Sequence, residues 1–182
     1  MSEETPWGWI PTYTGRKFEF LHPTAEMVDI LDIGHALSNL CRFAGHTSKF
    51  YSVAEHSVLM SRCFVNRGHM HLAKWALMHD ASEAYLVDVP RPLKAHLKSY
   101  AKIENRVARV IFDKFGLEGP LPEEVKGVDK RIVFDERRQL MGAPSAEWVG
   151  ETCTLGIEVL CWTPEQAKHY FMELHVRLFR DG

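Results

Sequence analysis

Start and stop signals for helices follow one another along most of this chain, and no stretch alternates apolar and polar residues over a strand length. Such a pattern allows a fold of packed helices and little else. Ile30, Ile33, Leu37 and Leu40 recur at helical spacing, which predicts a first helix near 28–41. Ser52 with Glu55 has the form of a capping box and opens a second helix carrying Val53, Val58 and Leu59. A third is expected near 70–86, with Leu72, Ala73, Ala76, Leu77 and Ala84, ending before Pro90 and Pro92. Residues 98–115 read as a fourth, stopped by Gly116. Pro122, followed by Glu123 and Glu124, suits a helix start, where a missing N–H costs nothing and carboxylates meet the positive end of the dipole. That fifth helix runs to about Met141. Thr163, Pro164 and Gln166 open a last helix that continues to the C-terminus, and residues 142–162 read as mostly irregular.

The first 28 residues are of another kind. Pro6, Gly8, Pro11, Gly15 and Pro23 interrupt regular structure, with Trp7, Trp9, Tyr13, Phe18 and Phe20 between them. Aromatic residues at this density call for burial, and disordered tails are poor in them. The expectation is an irregular but ordered arm packed on a helical body, its rings filling core or offering a base-stacking platform. The predicted class is therefore all-α, one domain over 1–182, with an arm at 1–28, a core at 29–141 and a C-terminal extension with the last helix at 142–182.

Composition narrows the function. A formal net charge of −2 gives no basic excess for nucleic acid and no polybasic run for a membrane surface. No apolar run approaches the ~18 residues of a membrane span, and the acidic opening Met-Ser-Glu-Glu has no apolar leader core. Cys41, Cys63, Cys153 and Cys161 form no C-x-x-C pair and read as reduced thiols of a cytoplasmic protein. Ten histidines invite a search for ligands.

That search centres on Ala76-Leu77-Met78-His79-Asp80-Ala81-Ser82-Glu83. The pair His79-Asp80 leaves an apolar helix, and a buried carboxylate beside a buried imidazole is costly unless paired or bound to a cation. On its own a His-Asp dipeptide is commonly a surface pair. Glu83, four residues on, is expected on the same helical face as His79. Asp88 follows in a loop stiffened by Pro90 and Pro92, and these carboxylates repel one another unless a cation offsets them. His56 alone is more often an exposed or core-satisfied histidine than a ligand. Asp129 lies among Val125, Val128 and Ile132, with Lys126 three residues before it, an ordinary charge pair by itself. In combination, two imidazoles and two carboxylates from three helices form a mixed N/O set suited to Mn, Co, Fe or Zn. Such an ion acidifies a bound water and polarises a phosphoryl oxygen, and Glu83 and Asp88 can then act as general acid and base.

At these residues the sequence resembles the HD-domain metal phosphohydrolases, whose H…HD…D ligand set is matched by His56, His79-Asp80 and Asp129. It is most similar to one branch, the bacterial 5′-deoxynucleotidases of the YfbR type. Arg42, Glu55-His56-Ser57, His79 to Glu83, Asp88 to Lys94 and Lys126 to Asp129 follow that branch's pattern over about residues 30–140. The resemblance implies an HD-type helical bundle, one divalent ion (Mg also being admissible), catalytic Glu83 and Asp88, and phosphate contacts from Arg42 and Lys126. This chain departs from the branch in the aromatic arm, from Phe43 to Tyr51, and after 141. Those regions are expected to border the nucleoside, which makes Phe43 and His46 candidate substrate contacts. The implied reaction is hydrolysis of a deoxynucleoside monophosphate to nucleoside and phosphate, in a homo-oligomer that binds neither nucleic acid nor membrane. Two alternatives stand beside it: release of triphosphate from a deoxynucleoside triphosphate, and a non-catalytic nucleotide-binding module.

Overall fold

The computed structural model describes residues 8–146 and 153–180. Trp7 and Pro6 of the arm lie outside these residues. Among the described residues, eight α-helices make up the body: α1 (Ile30–Asn39), α2 (Val53–Val65), α3 (Met70–Met78), α4 (Glu83–Leu86), α5 (Arg91–Lys94), α6 (Lys98–Lys114), α7 (Glu123–Leu140) and α8 (Pro164–Phe179). The predominantly helical expectation holds for this body. It fails in the arm, where β1 (Trp9–Pro11) and β2 (Lys17–Glu19) pair antiparallel with Ile10 opposite Phe18. Three-residue strands are too short to leave an alternation in the sequence. The hairpin closes through Gly15, whose φ of +81° is the left-handed conformation glycine adopts freely.

The hairpin is fastened to the body. Phe18 is fully buried and stacks on Tyr85 with ring centroids 3.9 Å apart. The Thr14 N–H and hydroxyl both donate to the Asp32 carboxylate at 2.7 and 3.0 Å. Tyr13 stacks on His35 at 3.7 Å. Of the arm's described rings, then, Phe18 fills core, while Trp9 and Tyr13 keep much of their surface in solvent.

Helix α2 is the centre of the body and packs against α1, α3, α7 and α8. Every residue from Val53 to Ser61 is buried, so its polar side chains need internal partners. The Ser57 hydroxyl donates to the Val53 carbonyl at 3.0 Å, and that of Ser61 to the Ala73 carbonyl on α3 at 2.8 Å. The predicted capping box at Ser52 forms only in half. Ser52 Oγ accepts the Glu55 N–H at 3.1 Å, but the Glu55 carboxylate turns away and accepts the backbone N–H groups of Leu160, Cys161 and Trp162 at 2.8, 2.9 and 2.7 Å. The full box is made at α8, where Thr163 and Gln166 exchange both bonds.

The segment 153–162 has no regular structure, as its sequence predicts, and takes its backbone partners from side chains. Arg131, Asp135 and Gln139, spaced four apart on α7, receive it in turn. Arg131 donates to the carbonyls of Cys153 and Thr154. Asp135 accepts from the Leu155 and Gly156 N–H groups. Gln139 bonds Ile157 and Val159. All four cysteines are free, and among the described residues no helix is long and apolar enough to cross a membrane.

The helix expected over 70–86 is two helices. After Met78 the chain winds more tightly: the N–H groups of Ala81, Glu83 and Tyr85 bond the carbonyls three residues back, of Met78, Asp80 and Ser82. Side chains i and i+3 eclipse in such a turn. Glu83 nevertheless stays on one side with His79 and Asp80, all three lining one cavity. Helix α4 then ends at Val87 with φ 66° and ψ 160°, a region populated almost entirely by glycine. The Tyr100 hydroxyl faces the carbonyls of Leu86 and Val87 at 3.2 and 3.0 Å and holds this turn.

Two consequences for stability follow. Val87 is 56% exposed and contributes little burial, so Val87→Gly is expected to raise the unfolding free energy by about 1 kcal/mol, the released strain exceeding the added chain entropy. Denaturant titration checks this, and a loss of stability would show that the turn is not strained. The second concerns His175 on α8, stacked on Phe179 and edge-on to Phe115. Burial pushes its pKa down to about 4, so between about pH 4 and pH 6.5 the unfolded chain binds the extra proton and stability rises with pH. The stability difference between wild type and His175→Leu is expected to shrink as pH falls through that window. A difference that stays constant from pH 7 to pH 4 would contradict this assignment.

Candidate functional site

His56 lies in the first turn of α2, fully buried, and its orientation is set by a carboxylate from α7. Its Nδ1 donates to Glu136 Oε1 at 2.5 Å, which leaves the Nε2 lone pair facing inward. His79 closes α3 and repeats this arrangement. Its Nδ1 donates to the Ala76 carbonyl at 2.8 Å, an acceptor only, so here too Nε2 is the free lone pair. Both Nε2 atoms are buried and lack a hydrogen-bond partner. Asp129 approaches from α7, its Oδ1 3.5 Å from His56 Nε2. His56, His79 and Asp129 each offer one ligand atom, all within 4.8 Å of one another. Asp80 borders this trio: its Oδ2 is 3.0 Å from His79 Nε2 and 3.8 Å from His56 Nε2.

Two imidazole nitrogens with carboxylates beside them could hold a divalent transition ion, and their burial without a hydrogen bond fits that use. The electrostatics agree. Burial resists ionisation of Asp80, but His79 and then His56 hold its pKa at about 2. Glu136 is likewise held at about 2 by Arg42 and His56 against the effect of burial. Asp129 lies below the usual carboxylate range, since His56, His79 and Arg91 outweigh its burial. Burial and Arg42 act to lower the pKa of His56, yet Glu136 and Asp129 raise it to about 9. Nε2 of His56 thus sits in surroundings that attract positive charge.

Glu83 and Asp88 behave in the opposite way. Burial, then Asp80 and Asp88, push Glu83 well above the ordinary carboxylate pKa. Asp88 is raised by burial and by Asp80, with Arg42 and Lys94 restraining the shift. The tight turn from Asp80 to Glu83 and the strained turn at Val87 bring these carboxylates together. Both line a cavity of about 590 Å³ beside the cluster. Arg42, Arg91, Lys94 and Lys130 supply its positive charge, and Phe43, Val133 and Phe134 are among its apolar walls. Phe43 and Ala44 both have φ above +50°, so a left-handed turn presents the Phe43 ring to the cavity beneath the Arg42 guanidinium, 5.3 Å away.

Of the residues the sequence singles out, His56, His79, Asp80 and Asp129 converge, and Arg42, Phe43, Glu83 and Asp88 line the cavity together with Asp80 and Asp129. Lys126 is placed apart from that cavity. It pairs with Glu123 at 2.6 Å on the rim of a second cavity of about 510 Å³, which reaches His79, Asp80 and Glu83 from the side of α6. His46 is exposed and lines neither cavity. The sequence reading missed Glu136, Arg91 and Lys130 and gave Lys94 no role. Arg91 pairs directly with Asp129, and Lys94 Nζ lies 2.7 Å from Glu104 and 3.9 Å from Glu83. Glu136 left one signal: it follows Asp129 by seven residues, two helical turns on the same face.

No family model matches the chain. Among curated proteins, the uncharacterized protein YfdR of Escherichia coli K12 is 39% identical over 168 residues, spanning 91% of this chain and 92% of that protein. An uncharacterized protein of Rhodobacter capsulatus, RCAP_rcc00048, is 34% identical over 149 residues, 76% of each chain. With identity at this level along nearly the full length of both sequences, the chain belongs to the same family as YfdR.

Proposed function

We propose that this protein is a cytoplasmic, metal-dependent phosphohydrolase of the HD type that cleaves the 5′ phosphoester of deoxynucleoside monophosphates. The observation that carries this reading is the pair of buried imidazole nitrogens of His56 and His79, without hydrogen bonds, beside Asp80 and Asp129, which themselves line a cavity with Arg42, Glu83 and Asp88. A volume of about 590 Å³ is within the range that takes a nucleotide-sized molecule. His56, His79, Asp80 and Asp129 would hold the ion, which when bound supplies Lewis acidity and an acidified water.

The chain's own residues supply the rest. Arg42 offers a planar fork to phosphate oxygens, and Lys94 adds a second positive charge. The apolar walls at Phe43, Val133 and Phe134 suit the nucleoside and exclude bulk water. Glu83 keeps its proton well above the ordinary carboxylate range because it is buried and crowded by Asp80 and Asp88. A neutral carboxyl so placed can protonate the departing 5′ oxygen. Asp88 is shifted less, being restrained by Arg42, and as a carboxylate it can take a proton from the attacking water. Phosphorus gains an oxygen from water and loses the 5′ oxygen, leaving nucleoside and inorganic phosphate.

Assay of deoxynucleoside mono- and triphosphates with Mn, Co, Mg and Zn, with products identified, is expected to release inorganic phosphate from the monophosphates. Intact triphosphate released from deoxynucleoside triphosphates would replace this reading with the other hydrolase, and tight nucleotide binding without turnover would replace it with a binding module. Glu83→Gln and Asp88→Asn are each expected to keep the fold and lower kcat by about 10²–10⁴-fold. The acid must be protonated to act, so Glu83→Gln should remove the alkaline limb of the kcat profile, and Asp88→Asn the acidic limb. Full recovery of Glu83→Gln at high metal concentration would rule out proton transfer by that residue. His79→Ala is expected to lose bound metal and turnover together, as measured by metal analysis of the purified protein.

A further inference from the structure

We propose that Glu136 is a positioning residue that holds the Arg42 guanidinium away from Asp80, so that one buried carboxylate keeps the metal cluster open to an ion and the phosphate anchor in place. This rests on reading His56, His79, Asp80 and Asp129 as a divalent-ion site. Glu136 is fully buried at the middle of α7 and its acceptor capacity is divided. Oε1 receives the His56 Nδ1–H at 2.5 Å and the Tyr51 hydroxyl at 2.8 Å. Oε2 receives Arg42 Nη2 at 3.1 Å. Arg42 is itself 8% exposed, and its Nη1 lies 3.8 Å from Asp80 Oδ2, too far for a hydrogen bond but close enough to become one with a small rotation. A desolvated guanidinium does not remain without an anionic partner. Where Glu136 carries no charge, Asp80 is the nearest carboxylate left to it. An Asp80 that accepts a hydrogen bond from Arg42 is a poorer ligand, since the Oδ2 lone pair an ion would take is then given to the guanidinium. The same carboxylate fixes the His56 ring, so its loss weakens the cluster by two routes, of which only one passes through Arg42.

The test is Co²⁺ binding to the metal-stripped full-length protein, read by calorimetry and by the visible absorption of the bound ion, neither of which requires turnover. Glu136→Gln keeps the shape and removes the charge, and is expected to weaken Co²⁺ binding about 10–100-fold. Arg42→Ala alone is expected to bind Co²⁺ at least as tightly as wild type. Combining the two should restore about tenfold of the affinity lost in Glu136→Gln, a non-additivity that a merely structural role for Glu136 does not produce. Wild-type affinity in Glu136→Gln, or a double variant no tighter than Glu136→Gln, would overturn the proposal. If circular dichroism shows Glu136→Gln unfolded, Arg42→Ala still decides, because weakened Co²⁺ binding in that variant contradicts competition between Arg42 and the ion. Absence of Co²⁺ binding by the wild type would instead remove the metal reading itself.

Discussion

A central helix that carries Glu55, His56, Ser57 and Ser61 can be enclosed on all sides only if each polar group is given a partner, because desolvating an ionised carboxylate or an unsatisfied imidazole costs more than the surrounding burial returns. The rest of the fold is arranged to meet this requirement. Helix α7 brings Glu136 to His56, α3 offers the Ala73 carbonyl to Ser61, and three successive N–H groups before α8 converge on Glu55. Each of these contacts fixes the position of a neighbouring element. The partners of α2 are thus also what sets α3, α7 and α8 around the site. Among the buried side-chain atoms that the described residues leave without a hydrogen bond are the Nε2 atoms of both His56 and His79, at the site itself.

The same corner of the molecule concentrates conformational strain and like charge. Phe43, Ala44 and Val87 all adopt positive φ, and Asp80, Glu83 and Asp88 crowd one wall of the cavity. Both features reduce stability, and both follow from bringing acidic groups and an arginine to one place. The left-handed turn after Arg42 lets this residue, buried over the Phe43 ring, share a wall with them. The tight winding after Met78 turns a helix end into a platform for two carboxylates with opposite proton affinities. A low-pKa Asp80 and a high-pKa Glu83 three residues apart differ because the first faces imidazoles and the second faces carboxylates.

Much of this was legible in the sequence where a residue's role is local. The ends of α2, α6, α7 and α8 were readable from Ser52, Gly116, Pro122 and Thr163, since caps and breakers act within a turn of where they stand. The grouping of His56, His79 and Asp129 was readable only from the combined pattern, since each of these residues taken alone has an ordinary reading. What was not readable depended on contacts across the fold. Glu55 satisfies the local pattern of a capping box, yet three backbone donors more than a hundred residues away compete for it and win. The break after Met78 has no glycine or proline to announce it, so periodicity carried the helix through His79 to Leu86. Glu136 sits in a run of charged residues, Asp135 to Arg138, that reads as a solvated face. Only the position of α2 makes it interior.

The stretch from 153 to 162 makes almost no regular structure, yet it is held at each step by side chains of α7 and then by Glu55 on α2. These contacts join segments separated by about twenty to more than a hundred residues, the kind of pairing that is slow to form because a long loop must close first. During synthesis, the residues of the metal cluster leave the ribosome well before the segment that encloses α2 and the helix that packs over it. Until that segment arrives, Glu55 has none of its three donors, and the helix bearing His56 has one side uncovered. Assembly of the site is in this sense a late event in the chain's history, timed by residues that contribute nothing to its chemistry.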